Sequence, residues 1–265
     1  MSLEEDANNL NEALKERVPE IADPESGTIE LMRGLVDPST GDWQSIAEVR
    51  ELTGADEEYL ARIESKKDTT YADYMSALLK RATLSIGTID ISSAPNALDN
   101  LIIGDRDALF LGIIKCTYGP ERTFMATCNS CNKKNDVTIN IDEDFKYEKP
   151  SMDLRKPIPV ELRDGSTVNL RLPTGADTSY IASKATSPAH QATLMLARCS
   201  VWEESERPSN LEEWARNLSL VNRNTLVTAI TGLSVGPKIG EVNVQCAHCQ
   251  ENIRIMLDWI SLLLG

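Results

Sequence analysis

A stretch of sequence that occurs twice constrains the fold of this chain more than any other feature. "RELTGADEEYLARI" (50–63) returns as "RLPTGADTSYIASK" (171–184). Both copies contain Thr-Gly-Ala-Asp, followed at the same distance by an aromatic-aliphatic pair, and Thr53 and Thr174 are 121 residues apart. Because a repeated sequence indicates a repeated structural unit, the chain is predicted to contain an internal duplication.

Hairpin patterns precede both copies. The alternating stretches "GTIELMRGL" and "SIAEVREL" flank the turn-rich "VDPSTGDWQ" before the first copy, and "IPVELR" and "TVNLRL" flank "DGS" before the second. Alternation of apolar and polar residues around Asp, Gly and Pro is typical of β-hairpins. Each half is therefore predicted to begin with a hairpin.

The similarity continues downstream of the two copies. "DRDALFLGIIKCTYGPERTFMATCNSC" (105–131) matches "NRNTLVTAITGLSVGPKIGEVNVQCAHC" (222–249). The Gly-Pro turns are 117 residues apart and the first cysteines are 118 residues apart. Small changes in the offset are what insertions in surface loops produce, so three signatures in the same order favour a duplication over coincidence.

The predicted fold class is α+β, with two tandem pseudo-symmetric repeats. Each repeat consists of a β-hairpin, helices and a strand–C-x-x-C–strand knuckle. Thr-Gly-Ala-Asp suits the start of a helix, because the Thr hydroxyl and the Asp carboxylate can form a capping box. Helical spacing of apolar residues follows at 71–83 and 189–201.

The predicted divisions of the chain follow from this repeat. Apolar residues at i, i+4 and i+8 before a proline predict an amphipathic N-terminal helical arm over residues 1–27. The first repeat is placed at 28–150 and the second at 151–265. The arm packs either on the body of the protein or on a partner.

Composition narrows the classes of function. The 265 residues are 41% apolar and 26% charged, and no apolar run reaches the roughly 20 residues of a membrane span. The acidic N-terminal stretch does not resemble a secretory signal, so we expect a cytoplasm in which thiols stay reduced. A net charge of −14 would repel nucleic acid and favours at most a basic protein partner.

Four of the six cysteines stand in two C-x-x-C pairs and are the candidate metal ligands: Cys128, Cys131, Cys246 and Cys249. Four thiolates are a tetrahedral set that Zn²⁺ prefers. The 115 residues between the pairs far exceed the roughly 15–20 of a zinc ribbon, but a pseudo-two-fold axis between the repeats would bring equivalent knuckles together. We therefore predict one shared structural Zn²⁺ per chain. A thiol redox pair, an iron–sulfur cluster and ligand-free knuckles are the alternatives.

The other candidate residues favour structural roles. His248, between the last two cysteines, is interpreted as a spacer that points away from the metal, and His190 as a packing or surface residue of a helix. Cys116 and Cys199 stand alone in helical patterns and are predicted to be small buried apolar residues. The Asp of Thr-Gly-Ala-Asp is assigned to helix capping.

Known catalytic motifs are missing from the sequence. It contains no G-x-x-x-x-G-K-[ST], no G-x-G-x-x-G and no G-x-S-x-G, and it has two histidines. Nothing pairs its many carboxylates beyond helix caps and solvated faces. We therefore predict that the protein is not an enzyme and has no catalytic or cofactor-binding residues.

Three stretches carry a resemblance to a known family. "IGDRDALFLGIIKCTYGPERTFMATCNSC", "VNLRLPTGADTSYIAS" and "CQENIRIMLDWISLLL" resemble the baseplate hub and hub-assembly proteins of T4-type contractile phage tails and of related contractile injection systems. The resemblance covers roughly residues 95–265 and implies that the four knuckle cysteines bind metal. The spacers Asn-Ser and Ala-His depart from the pattern, since they lack the Pro and Gly common in such knuckles.

The resemblance implies a structural component of the virion tail baseplate that is made in the host cytoplasm. Its implied partners are other phage proteins of the hub, wedge or tube initiator, with no nucleic acid, membrane or small-molecule substrate. A transient assembly chaperone that is absent from the virion is the alternative. A zinc-ribbon nucleic-acid-binding protein, against which the net charge of −14 argues, and a thiol–disulfide enzyme are further alternatives.

Overall fold

The structure is a computed structural model that describes residues 24–66, 69–145, 150, 152–233, 235–237, 241–256 and 262. Small antiparallel sheets alternate with helices, which confirms the predicted α+β class. The predicted helical arm lies outside the described residues as far as position 23. Within the described ranges, no helix is long and apolar enough to cross a lipid bilayer.

The first segment, residues 26–145, begins with a long hairpin and contains a second hairpin near its end. Its elements are β1 (Ser26–Val36), β2 (Trp43–Arg50), α1 (Gly54–Glu64), α2 (Tyr71–Ala82), β3 (Thr83–Ile86), β4 (Ile89–Asp90), a 3-10 helix (Pro95–Asn100), α3 (Ile103–Tyr118), β5 (Glu121–Thr127), β6 (Lys134–Asn140) and α4 (Ile141–Asp144). Strands β1 to β4 form one antiparallel sheet in chain order, and β5 pairs with β6 in a separate hairpin.

The second segment, residues 158–256, has corresponding elements in the same order, except that β4 and α4 have no counterpart among its described residues. They are β7 (Ile158–Glu161), β8 (Thr167–Leu170), α5 (Gly175–Lys184), α6 (Pro188–Cys199), β9 (Ser200–Val201), α7 (Leu211–Asn217), α8 (Leu220–Gly232), β10 (Glu241–Gln245) and β11 (Asn252–Met256). Strands β7 to β9 form an antiparallel sheet, and β10 pairs with β11. This segment has an α-helix, α7, at the place of the 3-10 helix in the first.

The strand register corresponds as well as the order of elements. Val49 of β2 pairs with Thr83 of β3, and Leu170 of β8 pairs with Ser200 of β9. These partners are 121 and 117 residues apart, which are the offsets found in the sequence. In both segments the third strand begins directly after a helix ends, so the helix aligns the strand with the hairpin.

Local chemistry explains where α1 and α5 begin. Thr53 and Thr174 have extended backbone conformations at the N-cap, and Asp56 and Asp177 stand at the third helical position. The Thr53 amide donates to the Asp56 carboxylate at 3.0 Å, and the Thr174 amide donates to the Asp177 carboxylate at 2.9 Å. Both capping boxes predicted from the sequence are confirmed.

Each segment has its own apolar core, and further contacts join the two. Phe110 lies in the core of the first segment and Leu196 in that of the second. Between them, Ile102 packs in one cluster with Leu172. Leu262, near the C-terminus, is fully buried in the core of the first segment. The chain therefore crosses back to the first segment after the second is complete.

Candidate metal centre

The first C-x-x-C pair lies in a tight turn between β5 and β6. The Cys128 amide donates to the Lys133 carbonyl at 2.9 Å, and the Asn132 amide donates to the Cys128 carbonyl at 2.9 Å. Asn132 has a φ of 56°, a left-handed conformation that Asn adopts more readily than most residues. This conformation turns the chain back immediately after the second cysteine of the pair.

The second pair lies in the same kind of turn between β10 and β11. The Cys246 amide donates to the Glu251 carbonyl at 2.8 Å, and the Gln250 amide donates to the Cys246 carbonyl at 2.9 Å. Gln250 has a φ of 63°. The hydrogen bonds and the left-handed residue occupy corresponding positions in both turns, so the two knuckles have the same backbone geometry.

The fold brings all four predicted ligands together. The Sγ atoms of Cys128, Cys131, Cys246 and Cys249 all lie within 4.8 Å of one another. Across the segments, Cys128 Sγ is 3.6 Å from Cys249 Sγ, and Cys131 Sγ is 3.6 Å from Cys246 Sγ. A disulfide needs about 2.05 Å, whereas four sulfurs at about 2.3 Å from a tetrahedral Zn²⁺ lie about 3.8 Å apart. The arrangement therefore fits four thiolates around one ion.

The two knuckles contact each other reciprocally. The first cysteine of each knuckle faces the second cysteine of the other, as a two-fold relation requires. The Ala247 amide also donates to Asn135 Oδ1 at 2.9 Å, which joins the backbone of the second knuckle to a side chain of β6 beside the first. Cys128 and Cys246 are buried beside Ile253, so apolar contact accompanies the polar one.

Burial, backbone amides and neighbouring sulfurs act in different directions on these thiols. Burial raises the pKa of Cys246, but the amides of His248, 3.4 Å from its sulfur, and of Cys249 outweigh burial and lower that pKa to about 6. The Glu251 amide lowers the pKa of Cys249, but burial and the three other sulfurs raise it to about 12. Four thiolates this close repel one another, and a bound cation would stabilise them together.

If the four cysteines bind a metal, their ligand set is that of a structural site. Four cysteines complete a tetrahedron and leave no position for a water to be activated. Among the described residues, no histidine or carboxylate belongs to this group. Both pairs lie in strand–strand turns, whereas a thioredoxin-type dithiol belongs near a helix N-terminus.

The two histidines lie outside the ligand group. His248 contributes its backbone amide to the sulfur of Cys246, and its ring is not a member of the cluster. His190 lies in α6, where Nδ1 is 3.3 Å from the Thr186 amide. Both positions agree with the structural roles expected from the sequence.

The two remaining cysteines differ in burial. Cys199 is fully buried at the end of α6, and burial raises the pKa of its thiol to about 12. Cys116 is only half-buried, and its sulfur lies 3.3 Å from the Glu25 carbonyl. The prediction of a buried apolar role is confirmed for Cys199 and holds only in part for Cys116.

A second polar cluster surrounds the Asp of Thr-Gly-Ala-Asp in the first segment. The buried Asp56 carboxylate accepts hydrogen bonds from Arg50 at 2.6 and 3.1 Å and from Arg81 Nε at 2.7 Å. Arg50 also donates to the Arg81 carbonyl at 2.8 Å. The Arg81 guanidinium lies over the Tyr59 ring at 5.2 Å. The carboxylate thus links the hairpin, α1 and the end of α2.

The second segment has the same cluster. The buried Asp177 carboxylate accepts from Arg171 at 2.6 and 3.1 Å and from Arg198 Nε at 2.7 Å. Arg171 also donates to the Arg198 carbonyl at 2.8 Å, and Arg198 lies over the Tyr180 ring at 4.6 Å. Burial raises the pKa of Asp177, but hydrogen bonds from Arg171 and Thr174 outweigh it and lower the pKa to about 2.

The two clusters contain more than the sequence predicted. Asp56 and Asp177 cap their helices as expected, but the arginines that bind them were not predicted. The repeated spacing R-x-x-T-G-A-D contains the signal for Arg50 and Arg171. A carboxylate that already accepts bonds from two arginines and a backbone amide is a poor proton acceptor, so neither cluster resembles a catalytic base.

The family described as T4 bacteriophage base plate protein matches residues 37–206, which is well over half of the chain. The chain belongs to this family. The match includes both Thr-Gly-Ala-Asp helices and the first knuckle of this base plate protein, and confirms the resemblance to T4-type baseplate proteins. The family match runs from residue 37 to residue 206, whereas the resemblance was based on roughly residues 95–265. No curated protein and no solved structure matches the chain.

Proposed function

We propose that this base plate family protein is a structural component of the tail baseplate and that one structural Zn²⁺ holds its two segments together. Family membership supports the baseplate role. The cluster of four sulfurs within 4.8 Å carries the zinc proposal, because Cys128 and Cys131 belong to one segment and Cys246 and Cys249 to the other. A metal bound there links parts of the chain that are more than a hundred residues apart.

The two segments are, in this proposal, products of a duplication with repeats at 28–150 and 151–265. The matching arginine–aspartate clusters support it, since buried side-chain contacts agree as well as sequence motifs. A further pair of contacts also corresponds. Arg106 donates to Ser76 Oγ at 2.7 Å, and Arg223 donates to Thr193 Oγ1 at 2.9 Å, each partner 117 residues further on.

A non-enzymatic role fits both polar clusters. The metal ligands are complete without water, and the aspartates are occupied by arginines. The partners are then other proteins of the baseplate hub, wedge or tube initiator. The place of action is the virion tail, after synthesis in the host cytoplasm. The net charge of −14 makes nucleic acid an unsuitable partner.

Mass spectrometry of purified virions tests the component proposal. A component is expected in a fixed ratio to other baseplate proteins in finished particles. Detection in assembly intermediates together with absence from particles would contradict the proposal and would instead indicate a transient assembly chaperone. Depletion of the protein during infection, with baseplates then counted by electron microscopy, provides the control that assembly requires it in either case.

A further inference from the structure

Outside the knuckles, the contact between the two segments is one-sided: the first segment covers a site on the second, but no described residue covers the corresponding site on the first. The first segment covers the start of α5 in the second, where the Gly175 amide donates to the Leu101 carbonyl at 3.1 Å and the Ile103 amide donates to the Pro173 carbonyl at 3.3 Å. A Cβ atom on Gly175 would lie 2.6 Å from the guanidinium of Arg106, which is itself buried. Glycine is therefore needed here for the two segments to approach this closely.

No described residue covers the corresponding position in the first segment. Gly54, at the start of α1, is exposed, and no described atom lies within 4 Å of where its Cβ would be. On the second segment, Leu220 and Val221 are 77% and 51% exposed at the start of α8. They stand 117 residues after Ile103 and Gly104, which belong to the contact that covers α5.

The same holds for a second part of this contact, the approach of Gly104 to the turn at Val235: no described residue covers its counterparts in the first segment. Gly104 meets the turn at Val235, where a Cβ would lie 2.1 Å from the Val235 carbonyl oxygen. The counterparts of this turn in the first segment are Tyr118 and Gly119. Tyr118 is 46% exposed, and no described atom lies within 4 Å of a Cβ on Gly119.

A one-sided contact between similar units leaves one unused surface on each end. We define the α8 surface as Leu218, Leu220, Val221 and Arg223 of the second segment, and the α1 surface as Thr53, Gly54, Ala55 and Tyr118 of the first. The sulfur contacts of the knuckles differ from this arrangement, because the first cysteine of each knuckle faces the second cysteine of the other. Large apolar side chains exposed next to one another indicate an interaction surface.

We propose that the α8 surface of one chain binds the α1 surface of a second copy of this chain, head to tail. The proposal rests on the duplication proposed above, since the contact extends between chains the one already made between the segments. The arginine and the glycine of that contact are both retained, as Arg223 and Gly54. Arg223 has no ion pair with any described residue, and Glu57 is exposed one turn after the start of α1. Their opposite charges favour the same orientation.

The contact between chains is looser than the one within the chain. Gly104 permits close approach, whereas its counterpart on the α8 surface is Val221, whose side chain keeps the partner's Tyr118–Gly119 turn further away. We therefore expect reversible association at micromolar or higher concentrations. Because a head-to-tail contact does not use up both surfaces of a chain, association continues to a closed ring or an open filament.

Sedimentation velocity of the full chain over a concentration series tests this. Wild type is expected to form species larger than a dimer as concentration rises. Leu220→Glu, which places an acid in the first turn of a helix where it is tolerated, should block one surface, and Gly54→Trp should block the other. Each variant alone should remain monomeric, with its dissociation constant raised at least about tenfold. Val36→Glu, which removes another exposed apolar side chain of β1, is the matched control and should associate like wild type.

Mixing the two blocked variants gives the decisive result. Each retains the surface that the other lacks, so the mixture should form a dimer that grows no further. A wild type that stays monomeric over the series would overturn the proposal, as would a mixture that stays monomeric while wild type associates. Circular dichroism and zinc content of each variant check that it is folded. If either fails, Val221→Arg and Ala55→Trp replace the pair. Retained zinc with lost association separates this test from that of the metal site.

Discussion

The first and second segments contain the same buried aspartate cluster, but described residues cover the start of the helix only in the second. Asp56 and Asp177 make the same hydrogen bonds, to two arginines and to a capping threonine. No described atom lies within 4 Å of where a Cβ on Gly54 would be, while Gly175 packs against Arg106. The cluster is therefore intrinsic to each segment, because it joins a hairpin to two helices of the same segment. The contact between segments is a separate feature, which the cluster does not require.

The knuckles contact each other in a different way from the rest of the two segments. The four sulfurs meet with two-fold reciprocity, while the contact at the start of α5 is not reciprocal. The sulfur contacts are therefore consistent with the pseudo-two-fold relation expected from the sequence, whereas the contact at the start of α5 is not, and the repeat itself stays a prediction. Each knuckle is a separate two-stranded hairpin, so its orientation relative to its own segment can differ between the two.

Removal of one of the four proposed metal ligands should change the free energy of unfolding more than any other substitution considered below. Cys128→Ser is expected to lower the free energy of unfolding by at least about 3 kcal/mol, a fraction of the roughly 10–16 kcal/mol of a structural zinc site. Hydrogen exchange should report the loss in both segments, because two ligands come from each. Cys116→Ser, outside the cluster, is the matched control and should cost less than about 1 kcal/mol. Loss of protection against hydrogen exchange in the first segment alone would contradict the proposal that the cysteines link the two segments.

Replacement of the two aspartates tests whether the clusters are equivalent. Asp56→Asn and Asp177→Asn should each lower the free energy of unfolding by about 2–3 kcal/mol. This is somewhat below the cost of breaking a fully buried pair, because the arginines are partly exposed. Urea unfolding of both variants measures the effects. A difference above about 1 kcal/mol between them would mean that the cover over α5 strengthens the second cluster.

The acid dependence of stability follows from the same cluster. The pKa of Asp177 is lowered to about 2 in the folded protein, against about 3.9 for an unfolded chain. The ionised carboxylate therefore stabilises the fold fully above about pH 4, and this contribution is lost as the pH falls from there through about 2. The difference in unfolding free energy between wild type and Asp177→Asn should be constant from pH 7 to about 5 and shrink below about 4. A difference that persists at pH 2 would refute the assignment.

A pair of glycine substitutions tests the contact between the segments. The expected changes in the free energy of unfolding are the smallest of these predictions. Gly175→Ala should destabilise by about 1–2 kcal/mol, because its Cβ would lie 2.6 Å from Arg106, which hydrogen bonds to Leu98 and Ser76 hold in place. Gly54→Ala is its matched control, with no described atom within 4 Å of the added Cβ, and should be neutral or stabilising by up to about 1 kcal/mol. Thermal unfolding compares the two. Equal effects would argue against a close contact at α5.

Much of the fold could be predicted from the sequence because its determinants are local. The hairpins, the capped helices and the cysteine turns depend on patterns a few residues long, and the repeat supplied each pattern twice. The division into arm and repeats remains a prediction. The burial of Leu262 in the first segment was not predictable, since no local pattern tells which core a distant apolar residue joins.

The clustering of the four cysteines could be predicted for the same reason, and the arginine clusters only in part. Cysteine spacing carries a strong chemical signal, whereas an arginine fits a solvated surface as well as a buried pair. Arg81 and Arg198 come from the far ends of other helices, so only the folded chain places them against Asp56 and Asp177. The one-sided contact was equally hidden, because Gly54 and Gly175 stand in identical Thr-Gly-Ala-Asp motifs.

The zinc content of the purified native chain tests most directly that the four cysteines hold one ion between the segments. Elemental analysis after exhaustive dialysis should give one Zn²⁺ per chain, and both Cys131→Ser and Cys249→Ser, one from each segment, should lower the retained zinc. A folded wild-type chain without zinc would contradict the shared site. So would zinc that is retained in full when either cysteine is replaced.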